Sequence, residues 1–327
     1  AGVSFARLSG DEWRYTNVAG SAGAPTGRTQ LKARQNTAYA EYTHGLTERW
    51  AVQAGVQAVQ ARRDLGNLMA PAASYDARFS RTSPKLGVLY TPSAQSQWFA
   101  NVSGSYEAPP FGELVYSPTQ PLARAQGATT VELGWRGRTD RWSWDVALYR
   151  SRVRRELLSL TDATGAALGT VNAGRTIHQG LELAANGKLA AHWALRAQYL
   201  YNDFRFDNDP VYGTRRLAGI PPHLLRAELQ WQPTPAIAVV PGVEWQPSRT
   251  WVDHANTVAA KGFAVLNLTL KGELGAGWSW FVDARNLTNR RYAATTAVQA
   301  NARGMDGAYY CPGDARAVYV GLNWRTR

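Results

Sequence analysis

The sequence around residue 140 reads Arg138-Thr139-Asp140-Arg141-Trp142-Ser143-Trp144-Asp145-Val146-Ala147-Leu148, a short polar turn followed by an alternating run. In an extended strand, Trp142, Trp144 and Leu148 lie on one face. The opposite face carries Ser143 and Asp145. A strand with one apolar and one polar face is typical of a membrane barrel with a wet interior, and equally of a soluble sandwich with a dry core. Alternation alone therefore does not distinguish a membrane barrel from a soluble sandwich.

Similar turns recur along the whole chain. They are predicted at 45–48, 93–96, 138–140, 186–188, 233–235 and 272–275. A tryptophan follows most of them within a few residues, namely Trp50, Trp98, Trp142, Trp193 and Trp278. Long hairpins with a tryptophan at one end fit a membrane barrel, because its aromatic girdle lies at the boundary between lipid and water.

The segments between the turns are long. Strands are predicted at 31–45, 48–66, 141–161, 167–188, 192–209, 278–296 and 315–326. A common globular strand has about five or six residues, and a membrane strand about 9–11. The connections at the other end of the strands, away from the short turns, are longer and polar. They are predicted at 66–82, 108–127, 207–216, 252–260 and 297–314. Short turns at one end and long loops at the other are the pattern of an outer-membrane barrel.

A β-propeller is the structural alternative with a similar repeat length. A blade of four short strands would need turns far closer together than those of this chain. The hairpins and the final strand give about 13 strands, and residues 1–18 supply part of another. An open sheet of that size has two unpaired edges, which a bilayer does not tolerate. We therefore expect an all-β, transmembrane antiparallel β-barrel that is incomplete in this chain.

Composition narrows the class of protein further. The 327 residues contain no apolar run long enough for a spanning helix, and the single Cys311 precludes a disulfide within the chain. The first residues lack a signal segment, so we expect further sequence upstream of Ala1.

The net charge of +12 is spread over turns, strand ends and loops. This spread does not predict a nucleic-acid partner, and attraction of anionic ligands or of lipopolysaccharide phosphates fits it better.

Three groups of segments resemble the TonB-dependent outer-membrane receptors of the siderophore type. The first is Ser83-Pro84-Lys85-Leu86-Gly87 with Ser105-Tyr106-Glu107-Ala108-Pro109-Pro110-Phe111-Gly112-Glu113-Leu114. The second is Asn172-Ala173-Gly174-Arg175 with Gly180-Leu181-Glu182-Leu183. The third is Val282-Asp283-Ala284-Arg285-Asn286-Leu287-Thr288-Asn289 with Tyr292 and Pro312-Gly313-Asp314-Ala315-Arg316. Pro221-Pro222-His223 is also similar to a strand entrance of this family, and the segments follow the family order.

The resemblance implies a bacterial outer-membrane barrel of about 22 strands with a plugged lumen. Residues 1–327 would then be the C-terminal part of one barrel domain. The N-terminal plug, its TonB box and the first strands would lie outside this chain. The implied partners are the TonB-ExbB-ExbD system, acting through the plug, together with outer-membrane lipid, lipopolysaccharide and a metal-chelate cargo. The end of the chain departs from the family pattern, because Thr326-Arg327 replaces the usual terminal aromatic residue.

The predicted loops hold the candidate cargo site. Arginine and aromatic side chains suit a ferric siderophore, which is often anionic and carries an aromatic chelating ring. The candidate ligand-binding residues are Tyr212, Arg215, Arg216, Trp251, His254, Arg303, Asp306, Tyr309 and Tyr310. No resident cofactor is expected, and the five histidines show no metal-ligand spacing.

Other functional interpretations remain open at this point. A passive porin for small anionic solutes is the alternative function, since it needs no plug and only a constriction of opposed charges. An enzymatic barrel is not predicted, because no compact catalytic constellation can be read from the sequence. Arg152 and Arg154, near the outer end of a strand, lie in the lipid-side register and suit lipopolysaccharide at least as well as cargo. The polar groups expected to line the lumen are Asp145, Asp283, Arg285, Arg196 and Glu228.

Overall fold

The structure, a computed structural model, describes residues 1–114, 122–162 and 166–326. Its strands are β1 (Gly2–Val18), β2 (Ser21–Gly45), β3 (Trp50–Asn67), β4 (Tyr75–Ser93), β5 (Ser96–Glu107), β6 (Gln126–Arg138), β7 (Trp142–Arg154), β8 (Leu157–Thr161), β9 (Ala167–Asn172), β10 (Arg175–Ala190), β11 (Trp193–Phe206), β12 (His223–Thr234), β13 (Ile237–Gln246), β14 (Thr250–Trp251), β15 (Ala259–Ala260), β16 (Phe263–Gly275), β17 (Trp278–Arg285), β18 (Ala293–Thr296), β19 (Tyr310–Pro312) and β20 (Ala317–Trp324). Two 3₁₀ helices, η1 (Pro71–Ala73) and η2 (Phe111–Glu113), complete the regular structure of these residues. Within the described ranges, no helix has the length and apolar character needed to cross a bilayer.

Fourteen strands form one antiparallel sheet. Their order is β1-β2-β3-β4-β5-β6-β7-β10-β11-β12-β13-β16-β17-β20. Each of these strands pairs with the next one along the chain, and the remaining strands form the small hairpins β8–β9, β14–β15 and β18–β19 within the loops. In the described part of the chain β1 and β20 are the two edges, so the sheet is open. The predicted all-β barrel of 13–14 strands, incomplete in this chain, is confirmed.

The short turns agree with the sequence at three places and differ at one. Those predicted at 45–48, 93–96 and 138–140 join consecutive strands. The turn predicted at 186–188 is wrong, because β10 continues through it and pairs with both neighbouring strands. Gly187 lies under the ring of Trp142, and that close approach leaves no room for a side chain. Gly187 therefore makes room for the Trp142 ring and does not form a turn. The chain reverses at residues 191–192.

The last two short turns lie slightly beyond their predicted positions. One falls between Thr234 and Ile237, and the other between Gly275 and Trp278. At the second turn, Ala276 and Gly277 have φ angles of 50° and 81°. These left-handed conformations reverse the chain, whereas the residues predicted to do so remain paired in β16.

Three of the long predicted strands are divided or end earlier than the sequence suggested. The strand predicted at 141–161 is divided because Arg155 has a φ of 57° and turns the chain out of the sheet into the β8–β9 hairpin. The strand predicted at 167–188 is divided at residues 173–174, between β9 and β10, and β10 continues to Ala190. The strand predicted at 278–296 ends at Arg285, since Asn286 has a φ of 48°. A residue with positive φ interrupts the extended backbone of a strand. The alternation of apolar and polar side chains does not show where such a residue lies, so it could not predict these strand ends.

The long connections lie at the end opposite the short turns. The loop predicted at 66–82 is wrong over most of its length, because β3 and β4 extend into it and leave only 68–74 as connection. The loops predicted at 207–216, 252–260 and 297–314 fall within connections of the structure, although each real connection is longer. The loop predicted at 108–127 includes residues 115–121, which lie outside the described residues, as do residues 163–165 and Arg327.

The two faces of the sheet differ in polarity. On the outward face, Leu133 lies opposite Leu148, and their side chains are 50% and 51% exposed. A soluble protein would bury such side chains, whereas lipid covers them on a barrel. The inward face carries charged pairs, of which the predicted lumen residues Arg196 and Glu228 lie 3.7 Å apart. The sheet therefore has a lipid-facing exterior and a wet interior.

A girdle of aromatic rings marks the end with the short turns. The rings of Trp98 and Trp135 stack with centroids 5.2 Å apart, and Trp144 meets Trp135 edge-on at 4.9 Å. Further pairs are Trp50–Tyr90, Trp193–Trp231 and Trp278–Trp324. Such a belt belongs at the lipid–water boundary, so these turns lie at one membrane surface and the long loops project from the other.

Candidate functional site

The long loops at one end of the sheet pack against each other around small apolar cores. One core joins the β8–β9 hairpin to the connection after β11 and contains Leu158, Leu160, Ala173, Phe206 and Leu217. A second core joins the connection after β13 to the last loop. Loops with cores of their own hold a fixed shape, which a binding surface requires.

A buried carboxylate connects two of these loops. Asp253 is 0% exposed and accepts hydrogen bonds from the Thr257 N–H at 2.8 Å and the Thr257 hydroxyl at 2.7 Å. The N–H groups of Val258 and Ala302 donate to it at 3.0 Å and 3.1 Å. Because a buried carboxylate needs donors on both oxygens, this residue fixes the loop after β13 against the last loop.

A second buried polar side chain connects the last loop to the β8–β9 hairpin. Gln299 is 1% exposed, and its amide donates to the Thr161 hydroxyl. The backbone N–H of Thr161 donates to the Val298 carbonyl at 3.1 Å, and that of His254 donates to the Gln299 carbonyl at 3.0 Å. Three connections that are distant in sequence are thus hydrogen-bonded at one point.

His254, a predicted ligand-binding residue, lies inside this packed region. Its ring is 3% exposed, and Nδ1 accepts a hydrogen bond from the Ala218 N–H at 3.2 Å. The rings of Phe206 and Tyr212 lie 5.3 Å and 5.5 Å away. Burial lowers the pKa of His254 to about 4, so the ring is neutral near pH 7. In this conformation His254 organises the loops and does not reach solvent.

The other candidate residues occupy different depths. Arg215, Arg303 and Asp306 are exposed, whereas Tyr212, Arg216, Trp251 and Tyr310 are half-buried and Tyr309 is 2% exposed. Burial and a hydrogen bond to Asp306 raise the pKa of Tyr310, which stays protonated near pH 7. The loops bring Tyr212 to His254 and Tyr310 to Tyr309, and leave the three exposed side chains at the outer surface.

Ion pairs and ring contacts engage two half-buried candidates. Arg216 Nη2 lies 3.4 Å from Asp203 Oδ1, and the Arg249 guanidinium lies 4.5 Å above the Trp251 ring. Within the described residues, no three histidine, cysteine, aspartate or glutamate side chains come together as metal ligands. The described surface can offer guanidinium donors and aromatic faces to a ligand.

Sequence reasoning missed Asp253 and Gln299, the two residues that organise the loops. A loop carboxylate is usually solvated, so Asp253 gave no reason to expect burial. The signal that could have indicated it is local: Thr257 follows at a spacing where a carboxylate can accept from both the backbone and the hydroxyl of one residue. Nothing local indicates the partner Ala302.

The sequence segments that carry the family resemblance have definite structural roles. Asn286 is 1% exposed, and its amide donates to the carbonyls of Arg290 and Asp314, both at 2.9 Å. Asn172 donates to the carbonyls of Arg124 and Arg155 at 2.8 Å and 2.7 Å. Both asparagines fasten the roots of loops to the sheet, so these motifs shape the site and do not themselves form it.

The open sheet of long strands, with its aromatic belt and its ordered loops at one end, defines an outer-membrane receptor barrel. Residues 1–287 match the family model described as TonB dependent receptor-like, beta-barrel. The chain belongs to this family of receptors, and its location is the bacterial outer membrane. Members of the family are transport receptors and not enzymes, in agreement with the prediction. A search among curated proteins finds no match to the sequence.

Solved structures share the fold at low identity. The ferric-catecholate import receptor Fiu from Escherichia coli K12, in its closed form, matches with a TM-score of 0.77 at 18% identity over 98% of this chain and 51% of its own. The ferric yersiniabactin uptake receptor FyuA from Yersinia pestis gives 0.76 at 17%, over 98% and 50%. The copper transporter OprC gives 0.77 at 14%, over 98% and 54%. The chain spans about half the length of these structures.

Proposed function

We propose that this chain is the C-terminal barrel portion of a receptor that imports a scarce metal chelate across the outer membrane. Its 327 residues would form one part of a single barrel domain, with the plug, the TonB box and the first strands elsewhere in the protein. Energy would come from the TonB-ExbB-ExbD system acting on the plug. The barrel exterior would contact outer-membrane lipid and lipopolysaccharide.

The observation that carries this proposal is the ordered loop surface above a polar lumen. Asp253 and Gln299 fasten the last loop, which presents Arg303 to solvent, and hydrogen bonds between Asn256 and Arg216 fasten the connection that presents Arg215. A passive pore needs no ligand surface, whereas a receptor gains affinity from a surface that is organised before the cargo arrives, because ordering it on binding would cost affinity. Fixed loops therefore favour a receptor over the porin alternative.

The chemistry of the surface favours an anionic, aromatic chelate as cargo. Guanidinium groups form charge-assisted hydrogen bonds with carboxylate or catecholate oxygens, and half-buried rings such as Trp251 and Tyr310 supply flat apolar contact. Fiu is a ferric-catecholate import receptor, FyuA a ferric yersiniabactin uptake receptor and OprC a copper transporter, so the shared fold is compatible with either metal. Arginine at the rim supports a ferric siderophore as the first cargo to test.

The test is uptake by cells that carry the full-length protein. We expect the double variant R215Q/R303Q to lower uptake of one ferric siderophore at limiting concentration by about tenfold, since two charge-assisted contacts are lost. The matched control is R49Q/R141Q, which removes the same charge from the short-turn end. Unchanged uptake across siderophores, haem, cobalamin, copper chelates and sugars would refute the cargo surface. Uptake that persists without TonB would instead support the porin.

A further inference from the structure

One strand edge inside the sheet lacks a partner at the loop end of the barrel. β4 pairs with β3 from Tyr75 to Tyr90, whereas its pairing with β5 begins only at Lys85. Pro84 lacks the N–H that a continued ladder needs, and Gly104 of β5 lies beside its ring. Above this point the two strands separate, and no backbone group of another described residue is hydrogen-bonded to this edge of β4.

The backbone groups on the free edge are those of even-numbered residues. The Thr91 N–H donates to the Arg49 carbonyl at 2.8 Å, and the register between β3 and β4 is unbroken from there. Because bonded pairs alternate along an antiparallel ladder, the odd-numbered residues of β4 bond with β3. Arg78 and Ser80 therefore direct their N–H and C=O groups away from β3 and toward the gap. Such groups are a template for another strand.

The gap lies at and above the upper edge of the hydrocarbon layer. From Tyr90 in the aromatic girdle to Ser80, β4 rises about 33 Å at about 3.3 Å per residue. A strand tilt of about 40° reduces this to about 25 Å, the height of the apolar band on an outer-membrane barrel. A partner from the aqueous side can therefore reach the edge from Ser80 to Asp76.

The gap forms a groove with two continuous walls. Its volume is about 710 Å³, and its lining runs along residues 77–82 of β4 and along residues 122–125 of the connection before β6. Unlike the free edges of β1 and β20, this groove lies inside the sheet. β4 and β5 are paired below it, so no further barrel strand can cross the bilayer between them. An occupant of the groove must enter from the loop side.

The groove is positively charged. Arg81, Arg124 and Arg155 line it, and the described part of its lining contains no carboxylate. None of these three arginines forms an ion pair with a residue that the structure describes. Arg78, at the same edge, lies 3.8 Å from Asp76 and is partly neutralised. The other three charges are available to an anionic partner.

Specific contacts hold the three arginines in place. The Arg81 guanidinium lies over Gly127, where a Cβ would meet Nη1 at 2.5 Å and displace it. The Asn172 amide donates to the carbonyls of Arg124 and Arg155, and its oxygen accepts from the Arg124 N–H at 2.7 Å. Arg155 also has a left-handed backbone, a costly conformation that clusters at functional sites. Three segments that are distant in sequence thus present their charges to one groove.

We propose that this groove binds an extended acidic peptide, which adds to the edge of β4 as a further strand. The backbone of the peptide bonds with the N–H and C=O groups of Arg78 and Ser80, which is the chemistry of strand addition. Its carboxylates accept charge-assisted hydrogen bonds from Arg81, Arg124 and Arg155. The same arginines repel a second copy of this basic edge, so the partner is a different polypeptide.

This peptide site does not rest on the proposed transport function. It requires only the loop end of the barrel, and none of its arginines belongs to the candidate cargo residues. Uptake of a ferric siderophore can be measured in the same variants. A variant that loses the peptide but retains uptake would leave the proposed function standing, and the reverse result would leave the peptide site standing.

The test titrates the full-length protein in detergent with a fluorescent peptide of alternating glutamate and valine, and follows its anisotropy. About eight residues span the groove at about 3.3 Å per residue. One comparison peptide has lysine in place of glutamate. The other retains glutamate but is N-methylated along its whole backbone, so it cannot donate to a strand. We expect the acidic peptide to bind at least about tenfold more tightly than either, because each comparison lacks one set of contacts.

Two sets of variants locate the site. R81Q/R124Q should weaken binding of the acidic peptide by at least about tenfold, whereas R49Q/R141Q, with the same change of charge at the short-turn end, should change it by less than about twofold. S80P removes an N–H that faces the groove and leaves the ladder with β3 intact, since proline is tolerated at a strand edge. We expect S80P to weaken binding by about fivefold or more, and S80A by less than about twofold.

Hydrogen exchange shows whether the peptide adds as a strand. The amides of Arg78 and Ser80 should exchange at least about tenfold more slowly when the peptide is bound. Those of Phe79 and Arg81 already bond with β3 and should not change. This alternating protection is specific for strand addition, because a peptide held only by arginine side chains would leave the groove-facing amides in water.

Three results would overturn the proposal. One is equal binding of the glutamate and lysine peptides. Another is equal binding of the N-methylated peptide, or unchanged exchange at Arg78 and Ser80, which would mean an anion site without strand addition. The third is equal binding by R81Q/R124Q and its control. Strand content and resistance to heat in detergent check the folding of each variant; if R81Q/R124Q fails to fold, S80P and the N-methylated peptide still decide the question.

Discussion

Asp253 accepts a hydrogen bond at 3.1 Å from the backbone N–H of Ala302, a residue that lies beyond four further strands of the chain. This contact joins two loops that the sheet alone would leave independent. The carboxylate is fully buried, and four donors satisfy it: three on Thr257 and Val258, and one in the last loop. The shape of the loop surface depends on this one side chain.

The substitution D253A should loosen the last loop. It leaves several buried N–H groups without an acceptor, at about 1–3 kcal/mol each. We expect the loop around Ala302 to become sensitive to limited proteolysis, while the barrel retains its resistance to heat in detergent. The control is D306A, which removes an exposed carboxylate from the same loop. Equal protease resistance in D253A and in native protein would contradict the role of Asp253.

The stability of the loops should depend on pH through His254. Burial lowers its pKa from 6.5 to about 4, so the packed loops bind fewer protons than the open loops between these values. The stabilising effect is complete above about pH 6.5 and is lost as the pH falls towards 4, by about 3 kcal/mol. Hydrogen exchange at the Ala218 amide, compared at pH 7 and pH 4.5, measures it.

The variant H254Q provides the control for this pH dependence. Glutamine can still accept from the Ala218 N–H but does not titrate, so the exchange rates should become equal at the two pH values after correction for intrinsic exchange. A pH dependence that survives in H254Q would assign the effect to another group.

Gly180 should not tolerate a side chain. A Cβ at this position would meet the carbonyl oxygen of Tyr201 and the hydroxyl of Tyr149, and a backbone atom cannot easily move away. G180A should destabilise the barrel by about 1–3 kcal/mol, measured as a lower temperature of unfolding in detergent. G45A is the matched control, since open space surrounds Gly45. A similar unfolding temperature for both variants would refute the steric argument.

Asn286 should be irreplaceable by aspartate. Its amide donates to two carbonyls, at Arg290 and Asp314, and a carboxylate cannot donate to either. We expect N286D to cost about 2 kcal/mol or more and to free the root of the last loop, with faster hydrogen exchange at residues 290–292. N17D is the control, because Asn17 only accepts, from the Gly20 N–H at 2.8 Å. Unchanged exchange in N286D would show that the loop has another anchor.

The barrel class could be read from the sequence because its evidence is local. Side chains alternate with period two along a strand, so the outward position of Leu148 and the inward position of Asp145 follow from their places in one short run. The same applies to the tryptophan belt, which repeats at the short-turn end. Local evidence failed where backbone conformation decided the outcome, as at Arg155 and Asn286, whose positive φ angles end their strands.

The site could be located but not resolved from the sequence. Arginine and tyrosine in the long loops predicted a cargo surface there, which stays a prediction, and of these candidates His254 and Tyr309 are buried while Arg215 and Arg303 are exposed. The burial of a loop side chain depends on which loops pack together, and the composition of a single loop does not predict that packing.

The amino-acid sequence by itself determined that this chain forms an outer-membrane barrel, since strand alternation and the aromatic belt are set by neighbouring residues. Only the tertiary structure decided the arrangement of the loops and the placement of Arg175 directly opposite Arg154. The reason is physical: the bond from Ala302 to Asp253 and the repulsion between Arg154 and Arg175 act between segments that meet only when the sheet has formed.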